Sequence, residues 1–134
     1  MNGRVLGDHP IDVMLLATDL AVAQDFYGSR IGLEIVIEND DFVTFKCGGD
    51  SRLVLTKSST ESTDPQTKAS WRVKDLAAEV TELRSRGVEI EEYDEPGLKT
   101  VDGIADVGFA LSAWFVDPDG NSIGLLQFKS EADN

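Results

Sequence analysis

The period of apolar and polar positions changes several times along the chain, and each change marks an element. Ile11 to Ala17 is an extended apolar run interrupted only by Asp12. Behind it Ala23, Phe26, Tyr27 and Ile31 fall at i, i+3, i+4 and i+8, the single stripe of a helix with one buried face. Asp19 stands where a side-chain oxygen can accept from the free N–H groups of that helix's first turn. Strands are predicted over Leu33 to Glu38, Asp41 to Cys47 and Arg52 to Lys57. Ser58 to Thr67 is polar, contains Pro65 and reads as a linker. The same sequence of elements then returns. A strand runs over Ala69 to Val73, Asp75 caps, and Leu76, Val80 and Leu83 form a helical stripe. Strands follow over Val88 to Tyr93, Ala110 to Val116 and Ser122 to Phe128. The plan is β-α-β-β-β twice, an α+β fold. Its boundaries are about 11–57 for module one, 58–67 for the linker and 68–128 for module two, with residues 1–134 forming a single domain.

The residues themselves repeat. Asp19-Leu20-Ala21 returns as Asp75-Leu76-Ala77 and Ser29-Arg30 as Ser85-Arg86, at an offset of 56. Gly32-Leu33-Glu34-Ile35 returns as Gly87-Val88-Glu89-Ile90, at an offset of 55. Gly49-Asp50-Ser51 is echoed by Gly120-Asn121-Ser122, at an offset of 71. On this alignment the second copy carries 16 extra residues, within an insertion over about 94–110 that is rich in glycine and reads as a loop at a site mouth.

Composition narrows the chemistry. Asp and Glu number 25 against 12 Lys and Arg, for a net charge of −13. So acidic a chain lacks the basic patches that nucleic-acid backbones and anionic membranes require. One His and one Cys exclude a His/Cys zinc site within the chain, an Fe–S cluster and an intrachain disulfide. The start of the chain shows no sustained apolar segment of signal-peptide type, and a cytoplasmic location is expected.

The Asp-Leu-initiated helix with Phe26-Tyr27, the following IGLEI, and the later WFVDPDGNSIGLLQ together resemble the vicinal oxygen chelate superfamily. That superfamily includes glyoxalase I, extradiol dioxygenases, fosfomycin-resistance enzymes and bleomycin-binding proteins. The resemblance implies that the modules form a half-open, barrel-like cup around a ligand, commonly in a homodimer. It also supplies metal positions to check. Members usually carry a His seven residues before the helix-opening Asp, and a Glu in a last strand reading N-x-I-E-L. Here those places hold Asp12, Lys68 and, in Asn121-Ser122-Ile123-Gly124-Leu125, Gly124. The repeat offset puts Leu53 at the fourth. One oxygen donor beside a cation is a poor set for a divalent ion, so no metal and no cofactor are expected.

Alternation along strands then sketches the cup face. With Asp12 facing it, Met14 does too; with Lys68, Ser70 and Arg72 follow; the last strands add Leu53, Leu55, Gly124 and Leu126. Trp114 and Tyr93 flank the insertion and are candidates to stack on a ligand. Lys68 is expected to pair with Asp12. Three functions stay open. The leading one is metal-independent binding of a small molecule, such as ligand or drug sequestration. The alternative is a metal-free lyase or isomerase with Asp12 or Lys68 as acid–base group. The third is a module acting through protein contacts.

Overall fold

The computed structural model describes residues 6–59 and 66–129. Most of the predicted linker (residues 60–65) lies outside them. The chain divides into two compact units, residues 1–61 and 62–134, which match the two copies of the repeat.

In the first unit, strand β1 (Asp12–Ala17) leads into helix α1 (Leu20–Asp25), which widens into a π turn over Phe26–Arg30. Strands β2 (Glu34–Glu38), β3 (Phe42–Lys46) and β4 (Arg52–Lys57) complete a four-stranded sheet of order β1-β4-β3-β2. β1 and β4 run parallel and the other neighbours antiparallel. Asp19 caps α1 as expected, its carboxylate accepting from the Val22 N–H at 3.2 Å. The core gathers on one side of the sheet: Leu15, Ala17, Val43, Phe45, Leu53 and Leu55 are buried with Ala23 and Tyr27 of the helical segment.

The second unit opens with β5 (Thr67–Arg72) and α2 (Leu76–Ser85), capped by Asp75 through the Ala78 N–H at 3.1 Å. Strands β6 (Asp94–Glu95), β7 (Leu98–Val101), β8 (Ile104–Asp106), β9 (Ala110–Val116) and β10 (Ser122–Phe128) follow. The sheet order is β5-β10-β9-β8-β7-β6. Leu76, Val80 and Leu83 bury the predicted stripe of α2, with Phe115, Ile123 and Leu125 among the buried residues of the sheet.

Three expectations are corrected. First, Val88 to Tyr93 is not a strand; it attaches to β9 through the Glu91 N–H to the Trp114 carbonyl at 2.8 Å. Second, the insertion is an ordered β-meander of two hairpins, β6–β7 and β7–β8, rather than an irregular loop. The turn between β7 and β8 is Asp102-Gly103, both with positive φ (54° and 82°), the signature of a tight hairpin.

The third correction concerns the last repeat offset. The Cys47 N–H bonds the Ser51 carbonyl, and the Asp117 N–H bonds the Asn121 carbonyl. Lys46 faces Arg52 across one hairpin and Val116 faces Ser122 across the other. Asp50 (φ 65°) and Gly120 (φ 82°) hold the same left-handed place. The structural offset is therefore 70, one less than the matching letters suggest. Because side chains alternate, that single residue moves every one of them to the other face.

Candidate functional site on the open face of the second sheet

The slip decides which residues can meet a ligand. In the parallel β1–β4 pair, Leu53 stands beside Val13 and Leu55 beside Leu15, on the buried, helix-side face. Leu53 and Leu55 are thus core residues and leave the predicted site. The residues that share the open face with Asp12, Met14 and Leu16 are Arg52, Val54 and Thr56. Met14 is 60% exposed there. Arg52 also supplies a partner for Asp12 that the sequence argument missed. Its guanidinium meets both carboxylate oxygens, at 3.1 and 3.4 Å. The signal was available in principle, since parallel pairing in the corrected register puts Arg52 beside Asp12.

In the second unit the predicted parity holds for β10. Gly124 is flanked by Ser70 on β5 and Trp114 on β9, and Leu126 by Arg72 and Ser112. These residues share the face opposite Ile123 and Leu125, where Ser70 and Arg72 are exposed and Ser112 and Gly124 are buried. β5 departs from simple alternation. Its register slips between Ser122 and Ile123, so that Thr67 pairs with Ser122, Ala69 with Ile123, and Lys68 is skipped. Thr67, placed in the linker by composition, therefore enters the site.

A cavity of about 390 Å³ opens at this end of the sheet, lined by Gln66, Thr67, Tyr93, Glu95, Leu98, Trp114 and Ser122. Tyr93 and Trp114 meet edge to face with ring centroids 5.5 Å apart. Tyr93 is clipped in place by its backbone: its N–H donates to Thr100 Oγ1 at 2.8 Å, and its carbonyl accepts from the Thr100 N–H at 2.9 Å. Burial pushes the Tyr93 phenol above its ordinary range, and the charges of Glu91 and Glu95 push it further. The phenol is therefore a neutral hydrogen-bonding group near neutral pH.

The meander that supplies Glu95 and Leu98 is fastened by Glu92. Glu92 Oε1 accepts from Thr100 Oγ1 and, at 3.0 Å, from the Gly103 N–H, while Arg84 of α2 approaches Oε2 at 3.5 Å. The Thr100 hydroxyl and then the Gly103 N–H hold the Glu92 carboxyl below the ordinary range, outweighing desolvation, and the Arg84 charge adds the least. The hairpin into β10 is braced similarly. Asp117 Oδ1 accepts from the Asp119 and Asn121 N–H groups, both at 2.9 Å, and Oδ2 accepts from the Asn121 amide at 2.9 Å. The Asp-Pro-Asp-Gly-Asn run is thus a buried structural turn that aims β10.

Two larger depressions differ in character. One of about 570 Å³ lies against α1, the π turn and β2, bordered by the Gln24–Glu38 hydrogen bond. Another, of about 680 Å³, lies against β7 and β8 and includes Val101 and Ile104. Among the described residues, neither is lined by an aromatic side chain.

A model of the Glyoxalase/Bleomycin resistance protein/Dioxygenase superfamily matches residues 9–125. The chain belongs to that superfamily. Its fold recurs in a glyoxalase/bleomycin resistance protein/dioxygenase from Alicyclobacillus acidocaldarius, at 19% identity and a TM-score of 0.70, covering 93% of this chain and 95% of that one. A lactoylglutathione lyase from Agrobacterium tumefaciens is similar at 26% identity and a TM-score of 0.60, covering 87% and 91%. An antibiotic binding protein from a Streptomyces species is similar at 24% identity and a TM-score of 0.60, covering 90% and 96%. No curated protein matches.

Metal-dependent members of the superfamily make the donor set worth testing. With the corrected register three of the four places hold Asp12, Val54 and Gly124; at the fourth the β5 slip skips Lys68 and sets Thr67 beside Ser122. Asp12 is engaged by Arg52, Val54 offers no donor and Lys68 is a cation. At Gly124 a Cβ would stand 2.7 Å from Ser70 Oγ and 3.4 Å from Thr67 Cγ2, so a carboxylate side chain has no room without moving β5 side chains. These residues do not fit a divalent ion. Among the described residues, no three His, Cys, Asp or Glu side chains gather elsewhere to hold one.

Proposed function

We propose that this superfamily member is a metal-independent small-molecule binding protein that sequesters its ligand, as a drug-binding protein does. The observation that carries the reading is the cavity on the open face of the second sheet. It pairs two aromatic rings with three neutral polar side chains and one carboxylate. Small-molecule sites combine aromatic and apolar surface with placed polar groups, and this lining holds both, four of its seven described residues being polar or charged. The likeness to an antibiotic binding protein supports the same direction. Of the residues chosen from sequence, Trp114 lines the cavity, while Ser70 and Gly124 flank Trp114 on the same face. Arg72 and Leu126 lie beside each other farther along β5 and β10, Lys68 is skipped by the β5 register, and Asp12 and Met14 share one face of the first sheet. We place the protein in the cytoplasm as a homodimer.

The alternative, a metal-free lyase or isomerase using Asp12 or Lys68, is served less well by Asp12. A guanidinium already engages both of its carboxylate oxygens. The deciding experiment is native mass spectrometry of the purified protein against a small-molecule library, with Trp114→Leu as control. Stoichiometric binding that Trp114→Leu abolishes supports the reading. Tight stoichiometric uptake of a divalent metal, or turnover lost in Asp12→Asn, overturns it.

A further inference from the structure

Resting on that reading, we propose that the ligand of the second-unit cavity is an organic cation: a flat apolar body carrying a positive nitrogen, seated against Trp114 and Tyr93 and paired with Glu95. Three observations converge on this class. The first is the charge of the wall. Among the described lining residues Glu95 is the one charged side chain, beside Gln66, Thr67, Ser122, Leu98 and the two rings. The cations of β5, Lys68 and Arg72, are not among them. An anionic ligand would meet a carboxylate with no lining cation to offset it.

The second is the aromatic geometry. The rings of Tyr93 and Trp114 stand at 85° to each other, so their π faces point in different directions. Such a corner offers a cation an aromatic face, and the attraction is strongest for Trp. The backbone clip from Thr100 fixes Tyr93 before any ligand arrives, so little ordering cost falls on binding.

The third is the field at the site. The phenol of Tyr93 is pushed toward its neutral form first by burial and then, in part, by the charges of Glu91 and Glu95. A negative potential that disfavours a phenolate favours a cation at the same place. At longer range the net charge of −13 steers in the same direction.

The test uses three ring-matched probes titrated into the full chain by calorimetry: N-methylquinolinium (cation), quinoline at pH 8 (neutral) and 1-naphthoate (anion). The wild-type protein is compared with Glu95→Gln and Trp114→Leu. The cation should bind roughly tenfold or more tightly than the neutral probe, as expected for a desolvated cation over an aromatic face beside a carboxylate. Glu95→Gln should remove most of that preference, weakening the cation far more than quinoline, and Trp114→Leu should weaken both. The preference should also shrink as salt rises. Equal binding of all three probes, or a cation preference that survives Glu95→Gln, overturns the cation inference and leaves the cavity as a neutral binding site. Failure of all three probes to bind, with Trp114→Leu indistinguishable from wild type, overturns the binding-site reading and this inference with it.

Discussion

Gly103 is the point where the meander, and so one wall of the cavity, is most exposed to a single substitution. It has φ 82°, donates its N–H to Glu92, and a Cβ there would stand 2.6 Å from Ile90 Cγ2 and 3.0 Å from Arg84 Nη2. Ile90 is buried and β-branched, so its methyl has few rotamers to retreat into. Gly97 provides the control: the same φ of 82°, but nothing within 4 Å of its Cβ direction. In both variants an alanine pays about 1 kcal/mol for the left-handed backbone. It regains about 0.4–1 kcal/mol from a less flexible unfolded chain. These effects cancel in the comparison. The difference between Gly103→Ala and Gly97→Ala is then the overpacking cost alone, about 1–3 kcal/mol. Urea unfolding followed by tryptophan fluorescence measures it, because both tryptophans, Trp71 and Trp114, lie in the second unit. Two variants that unfold within about 0.5 kcal/mol of each other, the ordinary scatter for independent sites, would refute the reasoning.

Asp117→Ala should cost roughly 3 kcal/mol or more, since three donors in a buried turn lose their acceptor. Asp117→Asn, which keeps one oxygen, should cost less, and chemical denaturation separates the two. Arg52→Ala should cost less than about 1 kcal/mol in thermal unfolding, because the Asp12 pair is substantially exposed (43% and 32%) and screened by water. Glu92 has a carboxyl held low in the folded state. Its bonds to the meander therefore stabilise the fold above the ordinary Glu range and are lost as pH falls through the depressed folded value. Glu92→Gln should flatten that part of the acid limb in a stability-versus-pH series, and an unchanged limb would assign the acid sensitivity elsewhere.

Much of the molecule was legible from residue order. Periodicity alone located both helices, their Asp caps and the strands on either side of the last hairpins, because those features depend on neighbours within a few residues. The open face of β10 was legible too, since Gly124 and Leu126 alternate with the buried Ile123 and Leu125. What failed was everything that depends on pairing between distant strands. Matching letters aligned Gly49 with Gly120, whereas the backbone aligns Asp50 with Gly120 through their shared left-handed conformation. That one-residue slip placed Leu53 and Leu55 on the wrong face and hid Arg52 behind them.

By itself, then, the sequence determined the class of fold and the duplication. Those are properties of residue type and spacing. Only the tertiary structure decided the register of β4 on β1, the slip that brings Thr67 beside Ser122, and the folding of the glycine-rich insertion into a meander. The first two follow from hydrogen bonds between segments far apart in the chain, whose energy no local pattern records, whereas the meander pairs neighbouring segments and is anchored through β8 on β9. The cavity of Tyr93, Glu95 and Trp114 exists because those bonds bring the meander beside β9 and β10.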